Sequence, residues 1–156
     1  KERFDLPLSL DEIKAVWVKM SIDKYRHEVP LKPGVLEFLK YCREKGIRTG
    51  IETSNGSEIV DAVLTSLNVK EYFDVVVTAC EVAHGKPEPD IYLEVAKRLG
   101  VKPEDCLVFE DIPAGIMAGK AAGMPVITVE DDFSEELMDE KRELADAVIS
   151  DYRELL

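Results

Sequence analysis

Two carboxylates stand side by side at Glu110 and Asp111, directly after the unbroken apolar run from Cys106 to Phe109. A run that short, bounded by polar residues, reads as a buried strand delivering both acids at its carboxyl end. Adjacent carboxylates repel and call for a counter-charge, which a hard divalent cation with a taste for oxygen ligands, such as Mg²⁺, would supply. Acids at such a place also serve simply to face water or to accept bonds at a helix start, and these residues alone leave both uses open. Pro113 follows where a first helical turn would begin, with the small residues Ala114, Gly115, Ala118 and Gly119 behind it. Strand, acidic turn and helix form the crevice where open α/β sheets collect their ligand chemistry.

Two other stretches carry complementary groups. After Gly50, Ile51 and Glu52 come Thr53, Ser54, Asn55 and Gly56, two hydroxyls and an amide ahead of a helix start. Such a turn offers side-chain donors and free backbone N–H groups to a phosphate, or forms an ordinary helix cap. Further on, Gly85, Lys86, Pro87, Glu88, Pro89 and Asp90 place a lysine beside two prolines that stiffen the loop. A lysine so held can pair with phosphate oxygens, or stand solvated in a helix lead-in. A phosphate-sized turn, a fixed cation and an acidic pair on one edge are the set that phosphoryl transfer requires.

The elements that would position these groups alternate regularly. The spacing of Ile13, Val16, Trp17, Met20 and Tyr25 predicts a helix to about His27, capped by Ser9 and Glu12. Its bulky stripe, Trp17 included, is expected to pack. Prolines 30 and 33 with Gly34 make Glu28 to Gly34 the expected domain boundary. Then follow a helix from Val35 to Lys45, a strand from Arg48 to Thr53, a helix from Ser57 to Leu67 and a strand from Phe73 to Thr78. A helix from Asp90 to Leu99, the strand at Leu107, a helix at Ala114 and a strand from Pro125 to Val129 come next. An acidic helix from Glu135 to Leu144, a short strand from Ala147 to Ile149 and a terminal turn from Asp151 complete the pattern. Strand and helix alternating at this pitch means βα units, a parallel sheet and helices on both faces. Right-handed crossovers put every strand's carboxyl end on one edge, where the polar residues should meet.

The chain of 156 residues has a formal net charge of −12, which argues against nucleic acid or an anionic membrane as partner. A local site can still oppose the global sign and take a small phosphorylated metabolite. Cys42, Cys80 and Cys106 are an odd set without metal spacing, as expected of a reduced, cytoplasmic protein. No apolar run exceeds strand length, and His27 and His84 are expected to be structural or solvated.

Thr53-Ser54-Asn55, then Gly85-Lys86-Pro87-Glu88-Pro89-Asp90-Ile91-Tyr92, then Phe109-Glu110-Asp111 with Ala114-Gly115, resemble the second, third and fourth motifs of the haloacid dehalogenase-like hydrolases. The branch resembled is that of β-phosphoglucomutase and phosphoglycolate phosphatase. The segment from Leu31 to Leu39 resembles the point where that family's chain re-enters its core after a helical cap. The resemblance implies a Rossmann-like core over residues 30–156, preceded by the tail of a cap in residues 1–29. It also implies a Mg²⁺-dependent phosphatase or phosphomutase working through an aspartyl-phosphate. Thr53, Ser54 and Asn55 would bind the phosphoryl group, Lys86 would neutralise phosphate and nucleophile, and Glu110 and Asp111 would hold Mg²⁺.

The departures are as informative. The family's first motif, Asp-x-Asp on a central first strand, supplies its nucleophile, and no two aspartates of this chain stand two apart. That strand is therefore expected from a missing amino-terminal segment or from another chain, and residues 1–156 alone are expected to be inactive. Glu52 stands where the family has an apolar residue and is expected to point harmlessly away from Thr53. Ile112 stands where a serine often follows the acidic pair. The alternative function is a non-catalytic domain that keeps the fold for binding or assembly.

Overall fold

A computed structural model describes residues 7–156; the first six positions of the expected cap segment lie outside the described residues. α1 (Leu10–His27) starts at Ser9, whose Oγ accepts from the Glu12 N–H while the Glu12 carboxylate accepts from the Ser9 N–H. Asp11 and Glu12 in its first turn and Lys24, Arg26 and His27 in its last suit the helix dipole. Of the expected packing stripe only Ile13 and Tyr25 are half-buried. Val16, Trp17 and Met20 are 48%, 56% and 61% exposed. The half-buried positions are Ile13, Val18, Ser21, Ile22 and Tyr25, the last four spaced by three and four, and α1 lies along α3. Trp17, the bulkiest residue of α1, thus faces outward.

The alternation that follows is as the pattern requires: α2 (Val35–Glu44), β1 (Gly50–Thr53), α3 (Ser57–Ser66), β2 (Val75–Thr78), α4 (Asp90–Leu99), β3 (Val108–Glu110), α5 (Pro113–Ala121), β4 (Val126–Val129), α6 (Met138–Leu144) and β5 (Ala147–Ile149). One expected helix divides. Asp132 to Leu137 form a tighter turn, begun by the Asp131 side chain accepting from the Phe133 N–H and broken at Ser134, whose φ is −127°. α6 begins only at Met138. Helical periodicity could not reveal this break, because Ser134 leaves the helix to donate its hydroxyl to the Asp111 carbonyl.

All strand pairs are parallel, as βα units demand. β1 pairs with β2 from Gly50↔Val75 to Thr53↔Thr78, and β3 with β4 and β4 with β5. These are two sheets, β1–β2 and β3–β4–β5; among the described residues no strand pairing joins β1 to β3. Yet one core spans both. Val77 of β2, Val108 of β3 and Val126 of β4 share a buried cluster with Ile91, Tyr92 and Ala96 of α4 and Ile116 and Ala118 of α5. On the opposite face α2 and α3 cover β1 and β2 through Leu39, Val60 and Leu64. There Phe38 of α2 reaches Phe109 of β3 and Tyr152, with centroids 5.4 and 5.6 Å away. Helices on both faces hold the two sheets in one layer, with facing edges of β1 and β3 left unpaired.

Candidate active site

Lys86 sits across the seam. The loop from Gly85 leads it into the interior, where its side chain is only 13% exposed. Its ammonium pairs with Glu110 of β3 and, at 2.5 Å, with Glu52 of β1. The sequence reading of Lys86 as a loop lysine is right in position, but this is a buried charge, not a solvated one. α4 adds Tyr92, whose hydroxyl lies 2.6 Å from Glu110 Oε1 and 3.1 Å from Glu52 Oε1. The last oxygen of Glu110, Oε2, accepts from the Asp111 N–H at 3.1 Å.

Glu110 is thus saturated and Glu52 is not, because Glu52 Oε2 is buried without a hydrogen-bond partner. Burial first, then the hydrogen bond to Glu110, pushes the Glu52 carboxyl up to about 7. Burial opposes the charge of Glu110 too, but its bonds from Glu52, Lys86 and Tyr92 outweigh that and hold it below the usual range. One proton shared by the pair belongs on Glu52. Burial would lower Lys86, and the facing charges of Glu110 and Glu52 reverse that and raise it. Lys86 is a fixed cation.

Gly115 in the first turn of α5 makes this geometry possible. A Cβ there would fall inside the Glu110 carboxylate. The small residues after Pro113 are therefore space for Glu110 as much as helix signal.

Asp111, the second acid, turns the other way. Its carboxylate lies 3.6 Å from Lys32 Nζ, and Lys32 also pairs with Asp131 just beyond β4. Burial, with the nearby charges of Glu110 and Asp131, raises Asp111 despite Lys32. Behind this group Lys141, fully buried, donates to Ser134 Oγ at 3.0 Å and to the Val129 carbonyl at 3.3 Å.

Thr53 ends β1 one residue beyond Glu52, and its Oγ1 accepts from the Asn55 N–H at 3.0 Å. Ser54 is exposed and Asn55 half-buried ahead of α3, whose cap residue Gly56 offers no side chain. The carboxyl ends of β1 and β3, with Glu52 and Thr53 on one side of the seam and Glu110 and Asp111 on the other, are linked by Lys86 and Tyr92. His84 bonds Asp90 at 2.9 Å, and His27 sits exposed against the Asp23 carbonyl.

Four residues of this neighbourhood had no role in the sequence reading. Glu52 faces away from Thr53 as alternation requires, but toward Lys86. Tyr92 was visible only as part of a motif. Asp131 stands two residues beyond β4 at the edge where polar residues collect, a signal that could have found it. Nothing in the sequence points to Lys32. Among the described residues no cluster of three His, Cys, Asp or Glu side chains is arranged to hold a metal ion.

A family model described as haloacid dehalogenase-like hydrolase matches residues 6–123. The chain belongs to the haloacid dehalogenase-like hydrolases. Hexitol phosphatase B of Escherichia coli is 36% identical over 126 residues, covering 81% of this chain and 56% of that protein. A phosphorylated carbohydrates phosphatase of Thermotoga maritima is 36% identical over 135 residues, covering 79% of this chain and 61% of that protein. The chain thus spans little more than half the length of these curated relatives. Among solved structures, CbbY from Rhodobacter sphaeroides in complex with phosphate superposes with a TM-score of 0.86 at 27% identity, over 96% of this chain and 67% of that one. The parallel α/β architecture of this haloacid dehalogenase-like chain is that of its structural relatives.

Proposed function

We propose that this chain forms the greater part of a Mg²⁺-dependent phosphatase or phosphomutase acting on a small phosphorylated metabolite such as a sugar phosphate. The observation that carries the reading is Lys86, a buried cation at the seam between the carboxyl ends of β1 and β3. The sugar-phosphate phosphatases among its relatives support the same substrate class.

In this reading Thr53 Oγ1, Ser54 and the N–H groups ahead of α3 receive the phosphoryl oxygens, with Asn55 beside them. Lys86 offsets charge as it develops in transfer. The nucleophilic aspartate comes from outside residues 1–156, on a strand that fills the seam and pairs with β1 and β3. Neighbouring strands lie about 4.8 Å apart, so a seam one strand wide leaves its flanking strands roughly 10 Å apart, a gap that Lys86 and Tyr92 side chains can span. The two unpaired edges are otherwise a template for aggregation.

The donors present suit a hard cation, since both are carboxylates. Asp111 is the one able to hold it directly, its side chain being 42% exposed, with Lys32, 3.6 Å away, standing where a counter-cation is called for. Glu110, saturated by Lys86, Tyr92 and the Asp111 N–H, contributes its charge from behind. When bound, Mg²⁺ would polarise a phosphoryl oxygen and offset the negative charge gathered there. With so few protein ligands its affinity for residues 1–156 alone is low.

The test is phosphate release from a panel of sugar and sugar-alcohol phosphates by the chain joined to an Asp-x-Asp strand. Expected is Mg²⁺-dependent turnover, lost in Lys86→Ala and Asp111→Asn. Turnover that survives both substitutions would remove these residues from the mechanism.

A further inference from the structure

Lys141 has no part in the chemistry proposed above, yet it is the largest side chain fully buried among the described residues. Its partners there are two neutral oxygens, Ser134 Oγ at 3.0 Å and the Val129 carbonyl at 3.3 Å. A methionine of similar length would fill the same space without burying a polar group, so packing alone does not account for a lysine. What its nitrogen does is set the direction of a hydroxyl. Ser134 is itself buried, and its Oγ carries a single proton. Accepting from Lys141, that oxygen is left to donate to the Asp111 carbonyl, 3.2 Å away. The backbone bends to allow this, with φ −127° at Ser134 inside an otherwise helical turn. One residue earlier in the acidic turn, the Glu110 carbonyl accepts at 2.9 Å from Oγ1 of Thr128, which is fully buried in β4. Two buried hydroxyls thus pin consecutive carbonyls of the acidic turn, and the second of them is oriented by Lys141.

We infer that Lys141 is a positioning residue for Asp111, acting through Ser134 to fix the backbone from which that carboxylate projects. This rests on the reading of Asp111 as the residue that holds the cation directly. With 42% of its side chain exposed, Asp111 is packed on few sides, and its aim is set from the backbone. The Asp111 N–H is held by Glu110 Oε2 and the carbonyl by Ser134, so both of its polar backbone groups are fixed. Lys141 stands behind the turn and touches neither substrate nor cation.

The test uses the chain joined to an Asp-x-Asp strand and has two readouts. The first, in metal-free protein, is amide exchange at Asp111 and Ser134 followed by NMR. The second is the Mg²⁺ concentration giving half-maximal p-nitrophenyl phosphate hydrolysis, beside KM for that ester at saturating Mg²⁺. In Lys141→Met the Asp111 and Ser134 amides should exchange several-fold faster while those of α2 are unchanged. The Mg²⁺ requirement should rise about tenfold, the low end for groups that orient a metal ligand, with KM little altered. Ser134→Ala should act alike, and the double variant no more than either alone, because both cut one link. Folded Lys141→Met with wild-type exchange at Asp111 would overturn the inference, and so would full additivity of the two substitutions. Lowered thermal stability with a wild-type Mg²⁺ requirement would make Lys141 merely structural and overturn it too. Should Lys141→Met fail to fold, Ser134→Ala decides, since it cuts the same link from the other end; unchanged exchange there refutes the link. Asp111→Asn separates the two readings. If it raises the Mg²⁺ requirement while Lys141→Met and Ser134→Ala do not, the cation site stands and the role of Lys141 falls. If it leaves the requirement unaltered, the cation reading of Asp111 falls, and exchange alone decides whether Lys141 holds the turn.

Discussion

Gly115→Ala isolates the contact on which the site geometry depends. In an ordinary helix the change is favourable by about 1 kcal/mol, because alanine is the better helix former. Here the new Cβ would overlap the Glu110 carboxylate, whose Cδ, Oε1 and Oε2 are its three nearest atoms. Glu110 is 5% exposed at its side chain and cannot swing into water without leaving Lys86 and Tyr92. Losing two charge-assisted bonds costs roughly 1.5–3 kcal/mol each. Set against the helix gain, and allowing for partial re-formation, a net loss of about 2–4 kcal/mol follows. For a chain of this size that lowers Tm by roughly 5–15 °C. The assay is thermal and urea unfolding by circular dichroism of the chain joined to an Asp-x-Asp strand, with Gly85→Ala as control, since a Cβ there meets nothing within 4 Å. The control should stay within about 0.5 kcal/mol of wild type. A Gly115→Ala chain as stable as wild type would refute the packing of Glu110 against α5, and with it the orientation of both acids.

Further expectations concern charge, backbone and capping. With Glu52 at about 7 in the folded chain and 4.5 as its ordinary value, the folded state holds a proton that the unfolded state has lost between those values. Stability therefore falls as pH rises through that window, by up to about 3 kcal/mol, and Glu52→Gln should flatten the slope in urea titrations across it. An unchanged slope would show that Glu52 titrates normally. Gly34→Ala should cost more than about 2 kcal/mol, because Gly34 has φ +76° and its Cβ would meet Asp151 and the Arg153 N–H; a near-neutral urea midpoint would contradict that contact. Ser9→Ala, which removes half of a reciprocal cap, should cost about 1 kcal/mol of α1 stability, seen as faster amide exchange in its first turn.

The order and kind of the elements were legible because βα units announce themselves through apolar runs, glycine stops and proline starts. Which face of α1 is buried was legible only in part: Ile13 and Tyr25 of the apolar stripe are half-buried, while Val16, Trp17 and Met20 of the same stripe face outward. The acids and the lysine were legible from type and place. Their relations were less so. Strand alternation correctly turned Glu52 away from Thr53, but alternation along one strand says nothing of what crosses from the next element. Lys86 and Tyr92 reach Glu52 from a loop and a helix far along the chain. The break at Ser134 and the pairing of Lys32 with Asp111 and Asp131 are likewise long-range, and no local pattern encodes them.

The seam between β1 and β3 is where the functional reading stands or falls. The decisive measurement is p-nitrophenyl phosphate hydrolysis with Mg²⁺ by residues 1–156, alone and with a separate or fused strand carrying Asp-x-Asp. We expect no useful rate from residues 1–156 alone, and solubility, metal binding and turnover restored together when the strand is supplied. Robust hydrolysis by residues 1–156 without it would mean that the nucleophile lies within this chain and that the seam is not a strand-binding site.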